Sequence, residues 1–210
     1  MNILHIDCSP RWDSHSRQLS SAVVDKLLSI FPDARISRRD LGYEPIPHAG
    51  ADYAATLATP ASLAAAGRSA DALVLAEQLI GEVERADVVV IGTPMNNFTV
   101  PSVLKAWIDQ ILRVGRTMKS TPAGKVGMLS DRPVFVAIAS GGVFAGERAN
   151  QPDFLTPYLT AVLDCIGFNT VHYLPLQGTA FIDDIRANEL RRSLVATIEP
   201  AMVSLVQSLA

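Results

Sequence analysis

One short segment limits the fold more than any other. Asp87-Val88-Val89-Val90-Ile91-Gly92 is an uninterrupted β-branched run, and Gly92-Thr93-Pro94 ends it. A strand without polar alternation must be covered on both faces, which is the situation of a parallel sheet between two helical layers. Two similar runs flank it in the chain: Ile3 to Asp7, closed by Cys8-Ser9-Pro10, and Pro133 to Ala139, closed by Ser140-Gly141-Gly142. Asn169 to Leu176 completes the series, and Ala34 to Arg39, alternating and heavily charged, suits an edge strand.

Helical periodicity fills the intervals. Leu19, Ala22, Val23, Leu27 and Ile30 share one face, as do Leu73, Ala76, Leu79, Ile80 and Val83. Pro101 to Val114 follows the central run, Phe154 to Ile166 ends at Gly167, and Asn188 to Leu209 closes the chain with a break expected at Pro200. An Ala-rich stretch, Ala51 to Ala66, lies in a long excursion with the expectation that it partly covers the site. The order predicts an α/β, doubly wound parallel sheet of five strands ordered 2-1-3-4-5, the flavodoxin-like arrangement, in a single domain over 1–210.

Composition narrows the partners. With 18 basic and 21 acidic residues the net charge is −3, which points to neither nucleic acid nor an anionic membrane. No run approaches a membrane span, and no secretory signal is apparent. The 2 cysteines, Cys8 and Cys165, make no disulfide framework, so a cytoplasmic location is expected. The four histidines (His5, His15, His48 and His172) have no metal-ligand spacing, and His5 and His172 fall in predicted strands as structural residues. There is no G-x-S-x-G elbow.

Ligands of such sheets bind beyond the carboxyl ends of the strands. Three loops converge there. The first, Ser9-Pro10-Arg11-Trp12-Asp13-Ser14-His15-Ser16-Arg17, runs into a helix. Its hydroxyls, free N–H groups and helix dipole make an anion site, to which Arg11, His15 and Arg17 could add charge. It matches neither dinucleotide nor nucleoside triphosphate loops and suits the phosphate of FMN; the other reading is a plain N-cap and turn. The second, Met95-Asn96-Asn97-Phe98 between prolines, offers flat, polarizable contacts and an amide for a heterocycle, or is a structured turn. The third, Ser140-Gly141-Gly142-Val143, lets backbone N–H groups approach an anionic edge, or is a glycine turn. Beside them, Val103, Leu104, Trp107, Ile108, Ile111, Leu112 and Val114 cover about half of their helix, which fits either a twofold dimer or deeper burial within the chain.

Together these loops resemble the FMN-dependent NADH azoreductase family, within the flavodoxin-like NAD(P)H quinone reductases. The resemblance is most specific over Thr93-Pro94-Met95-Asn96-Asn97-Phe98-Thr99-Val100-Pro101-Ser102-Val103-Leu104-Lys105-Ala106-Trp107-Ile108-Asp109, with Ser9, Ser14-His15-Ser16 and Thr156-Pro157-Tyr158-Leu159 in support. It implies that Ser9, Ser14, His15 and Ser16 hold the FMN phosphate. Met95, Asn96, Asn97 and Phe98 would lie along the isoalloxazine, with Ser140, Gly141, Gly142 and Val143 at its other edge. It implies a homodimer and ping-pong two-electron transfer from NADH or NADPH to a quinone or azo compound. Asn96 replaces the family's usual tyrosine, and Gly141 and Val143 replace an arginine and a glycine. The first loop is a residue shorter than is common, and Gly115 to Arg132 lacks the family's longer hairpin-like insertion. Two other readings of the same fold are a flavodoxin-type electron carrier and a flavin-free interaction module.

Overall fold

The computed structural model describes residues 1–58 and 70–202. Its principal sheet has five parallel strands in the order β2-β1-β3-β6-β7, the predicted 2-1-3-4-5 once a small hairpin is set apart. The strands are β1 (Asn2–Asp7), β2 (Arg35–Asp40), β3 (Val88–Pro94), β6 (Val134–Ala139) and β7 (Val171–Leu176). β3 is central and buried along nearly its whole length, whereas β2, at the edge, has mostly exposed side chains. The helices are α1 (His15–Ile30), α2 (Ala51–Ala58), α3 (Ala70–Arg85), α4 (Ser102–Ile111), α5 (Thr156–Ile166) and α6 (Asp184–Ala196).

Strand pleating sorts the core into two layers. Leu4, Ile6, Val89, Ile91, Val134, Val136 and Ile138 face Leu79, Ile80 and Val83 of α3, Leu104, Trp107, Ile108 and Ile111 of α4, and Leu159, Leu163 and Ile166 of α5. Ile3, Val88, Val90, Phe135, Ala137 and Leu174 face Leu19, Val23, Val24 and Leu27 of α1, with Leu190, Leu194 and Val195 of α6 at the margin. Consecutive residues of one strand therefore feed opposite cores, which is why β3 and β6 carry no polar alternation.

The broad apolar face of α4 is covered in part inside the chain. Leu104, Trp107, Ile108 and Ile111 are all buried. The Tyr53 hydroxyl of α2 reaches across to donate to the Asp109 carbonyl at 3.1 Å. Burial within the chain thus accounts for part of this face, while Val103 and Leu112 are half-buried and Val114 is exposed.

Several boundaries differ from expectation. α4 stops at Ile111 rather than Val114, because Thr117 Oγ1 donates to the Ile111 carbonyl at 2.6 Å and accepts from the Arg113 N–H at 3.0 Å. The segment 115–132, expected to lack a longer hairpin-like insertion, forms a short hairpin: β4 (Met118–Thr121) and β5 (Gly124–Gly127) pair antiparallel. The hairpin rests on the end of α5, where a Cβ on Gly127 would come within 2.1 Å of the Gly167 nitrogen. α6 begins at Asp184, since the Asp183 carboxylate accepts from the Arg186 N–H at 2.8 Å and caps the helix four residues before Asn188. Its regular part ends at Ala196 with Thr197 as C-cap, ahead of Pro200, which has no N–H to give the Ala196 carbonyl. The Ala-rich stretch forms α2 as far as Ala58; its continuation to Ala66, like the chain end towards Leu209, lies outside the described residues. Among the described residues no helix is long and apolar enough to cross a membrane.

Candidate functional site

The carboxyl ends of β1, β3 and β6 surround a cavity of about 350 Å³. It is lined by Ser9, Ser14, His15 and Ser16 on one side, with Pro94, Met95 and Asn96 on another and Ala139, Gly141 and Thr179 closing it. Parallel strands end in register here: Thr93 pairs with Ile138 and Pro94 with Ala139, so the loops that follow β3 and β6 leave side by side.

The first wall is built on the start of α1. Ser14 is its N-cap and accepts from the Arg17 N–H at 3.4 Å. Ser14 and Ser16 hydroxyls lie 3.3 Å apart, and Ser9 and Ser16 are buried beneath the surface. The first-turn N–H groups of His15 and Ser16 have no intrahelical acceptor, as for any helix start. His15 Nδ1 is buried without a hydrogen-bond partner. Hydroxyls, free N–H groups and a helix dipole on one concave wall favour a phosphate-like anion. Arg11 lines the same cavity while its guanidinium meets exposed Asp13, whose carboxyl that hydrogen bond holds below the usual range. Arg17 does not line the cavity, contrary to expectation. Its guanidinium turns inward to the Ser9 carbonyl and to Asp40.

The second wall is a tight turn. Asn96 N–H donates to the Thr99 carbonyl at 2.9 Å, and Thr99 N–H returns the bond at 3.0 Å. Between them Asn97 (φ 48°) and Phe98 (φ 70°) are both left-handed, the signature of a type I′ turn. Asparagine tolerates that region; phenylalanine pays for it. The Phe98 carbonyl accepts from the Phe154 N–H at 3.0 Å, which pins the turn to the segment leading into α5. Met95 and Asn96 face the cavity, whereas Asn97 and Phe98 sit at the turn's tip and Phe98 is 44% exposed.

In the third loop, Gly141 reaches the cavity, and Ser140 lies buried behind it. Ser140 Oγ accepts from Gln151 Nε2 at 3.1 Å, and the same Nε2 lies 3.1 Å from Met95 Sδ. Gln151 therefore ties the second loop to the third. Gly142 is needed for this: a Cβ there would meet Gln151 Oε1 at 2.2 Å. Val143 turns away into a separate cavity of about 560 Å³ with Gln177 and Leu190.

Sequence reading missed Thr179 and Gln151. Thr179 comes from the loop after β7, where its N–H and its hydroxyl both donate to the Ser140 carbonyl at 3.0 and 3.1 Å. Gly178 (φ 70°) was the available signal for that turn. Gln151 carries no local signal, because its role depends on two distant loops. Of the histidines, His5 Nε2 meets Ser20 Oγ at 3.0 Å and Asp7 at 3.3 Å, and His172 stacks on Phe135 with burial lowering its pKa. Each also keeps one buried ring nitrogen, His5 Nδ1 and His172 Nε2, without a hydrogen-bond partner.

The comparisons with known proteins agree with this fold. A family model described as flavodoxin-like fold matches residues 1–198. FMN-dependent NADH:quinone oxidoreductase 4 of Pseudomonas fluorescens is 46% identical over 209 residues, covering 98% of each chain. FMN-dependent NADH:quinone oxidoreductase 5 of Burkholderia lata is 46% identical, covering 93% of this chain and 96% of its own. Among solved structures, the azoreductase of Bacillus anthracis superposes with a TM-score of 0.79 at 26% identity, covering 97% of this chain and 98% of its own. The chain belongs to the flavodoxin-like family of the FMN-dependent NADH:quinone oxidoreductases.

Proposed function

We propose that this protein is an FMN-dependent NADH:quinone oxidoreductase that also reduces azo compounds, with FMN in the cavity between the first three loops. The observation that carries the reading is the anion wall at the start of α1, where Ser9, Ser14, His15 and Ser16 line one side of the cavity at the helix N-terminus. These residues fit a flavin phosphate, and the relatives at 46% identity are named for FMN and quinone. Bound there, FMN supplies the two-electron chemistry between nicotinamide and acceptor.

The chain's own part is binding and orientation. Hydroxyls of Ser9, Ser14 and Ser16 and the first-turn N–H groups of His15 and Ser16 hold the phosphate. Met95 and Asn96 give one wall for the ring system, with Asn97 and Phe98 at its rim. Of the loop Ser140, Gly141, Gly142 and Val143, Gly141 faces the opposite edge, while the Ser140 N–H donates to the Leu176 carbonyl and the Val143 N–H to Asn150 Oδ1, and Gln151 keeps the two walls at a fixed spacing. Substituting Ser9 and Ser16 together by alanine should weaken FMN binding without unfolding the chain.

The donor is NADH by the relatives' names, with NADPH as the alternative donor. The match over residues 1–198 supports one domain. Both cysteines are free, which suits the cytoplasm. A homodimer is supported by exposed aromatics on the cavity loops: Trp12 at 79%, Phe154 at 61% and Phe181 at 81% exposure. Steady-state kinetics test the reading: NADH consumption with benzoquinone should give parallel double-reciprocal lines. Absence of turnover with any quinone or azo acceptor would overturn it.

A further inference from the structure

We propose that Arg17 is a positioning residue for the phosphate wall, acting through the carbonyl of Ser9; this rests on reading the cavity as an FMN site. Arg17 lies in the first turn of α1 but its side chain is nearly buried, at 11% exposure. Nε and Nη2 both donate to the Ser9 carbonyl, at 2.8 and 2.6 Å. Nη1 and Nη2 grip Asp40 at 2.7 and 2.5 Å, and Nη1 stands 3.6 Å from Asp7. The guanidinium carbon sits 4.5 Å from the centre of the Tyr43 ring.

One planar cation thus joins the end of β1, the end of β2 and the start of α1. Asp40 is itself fixed, accepting from the N–H groups of Gly42 at 3.1 Å and Tyr43 at 3.0 Å. Gly42 presses on the same carbonyl: a Cβ there would fall 2.1 Å from Ser9 O. With its carbonyl gripped from behind, the Ser9 peptide has one available orientation, and that orientation sends Ser9 into the cavity wall beside Ser14 and Ser16. Preorganisation of this kind lowers the cost of ordering the loop on the ligand. A lysine has a single donor centre and cannot span the carbonyl and both carboxylate oxygens.

FMN and riboflavin differ only in the phosphate, so their affinity ratio isolates the effect. The full-length chain, freed of flavin, would be titrated with each by flavin fluorescence for wild type, Arg17→Gln, Arg17→Lys and Asp40→Asn, with thermal unfolding recorded alongside. Arg17→Gln should weaken FMN about tenfold while riboflavin affinity holds. Arg17→Lys should resemble it rather than wild type. Asp40→Asn should shift the ratio the same way by about threefold, and it carries the test if Arg17→Gln does not fold. An unchanged FMN-to-riboflavin ratio in the folded variants, or equal loss of both flavins, would overturn the positioning role. A wild-type chain that does not distinguish FMN from riboflavin would instead overturn the phosphate reading, and the proposal with it.

Discussion

Replacing Gly92 by alanine adds one methyl group where Ser20 of α1 packs against the sheet. The new carbon would fall 2.5 Å from Ser20 Oγ, 2.6 Å from Asp7 Oδ1 and 2.8 Å from Ser20 Cβ. Ordinary contact needs about 3.4 Å or more, so both neighbours must retreat by most of an ångström. Neither can do so freely. Ser20 Oγ donates to Asp7 Oδ1 at 2.8 Å and meets His5 Nε2 at 3.0 Å, all three being buried. Overpacking of this kind costs about 1–3 kcal/mol. Loss of a buried hydrogen bond to a carboxylate adds about 1.5–3 kcal/mol. The stiffer unfolded chain returns about 0.4–1 kcal/mol. The net expectation is a loss of about 2–5 kcal/mol, a fall in Tm on the order of 10 °C for a chain of this size. Urea unfolding of the flavin-free protein measures it without ligand linkage. Gly141→Ala is the internal control, since its Cβ would meet only Ala180 Cβ at 3.5 Å. Gly92→Ala as stable as Gly141→Ala would refute the packing argument.

Three further outcomes are expected. Asn97→Ala puts a side chain without asparagine's tolerance at φ 48° and should cost about 0.5–1 kcal/mol in the flavin-free protein, while Asn97→Gly should cost nothing; equal effects in urea melts would contradict the turn assignment. Asp131 is partly desolvated, which raises its pKa, but hydrogen bonds from the Thr170 hydroxyl and the N–H groups of Asn169, Thr170 and Arg132 outweigh this and hold it below the ordinary value. Its stabilisation is therefore complete above the unfolded carboxylate pKa, about 4, and is lost as pH falls through the lower folded value. Asp131→Asn should flatten the acid limb of a stability–pH profile, and an unchanged limb would exclude Asp131 as a contributor. Gln151→Leu should leave the fold intact, to within about 1 kcal/mol beyond the loss of its bonds, yet shift the visible spectrum of the bound flavin by loosening Met95 from Ser140; an unshifted spectrum would show that the bridge does not shape the site.

What could be read without coordinates follows burial. β3 and β6 declare themselves because both their faces meet helices and the runs Val88 to Gly92 and Val134 to Ala139 are apolar throughout, whereas β1 also buries His5 and Asp7, which it satisfies through Ser20 of α1. The short hairpin of β4 and β5 was invisible for the opposite reason: of its strand residues only Met118 is buried, so backbone pairing holds it with no side-chain pattern. The true end of α4 depended on Thr117, six residues beyond the last helical residue, taking over the Ile111 carbonyl. The site shows the same division. Ser9, Ser14, His15, Ser16, Met95, Asn96 and Gly141 meet in one cavity because loops after adjacent parallel strands must be neighbours. Thr179, Gln151 and the inward turn of Arg17 are set by contacts far apart in sequence, which no local motif records. Arg17 is the sharpest case, since a basic residue in the first turn invites assignment to the anion but here serves a carbonyl and two carboxylates.

The central claim is that the cavity at the ends of β1, β3 and β6 holds a flavin that passes electrons from NADH to a quinone. An anaerobic visible spectrum of the FMN-loaded protein, taken before NADH, after NADH and after benzoquinone, tests it most directly. The account predicts one flavin per chain, a band near the usual flavin maximum that bleaches on adding NADH and returns on adding benzoquinone. A flavin band that is indifferent to NADH and NADPH, or a chain that binds no flavin, would contradict it.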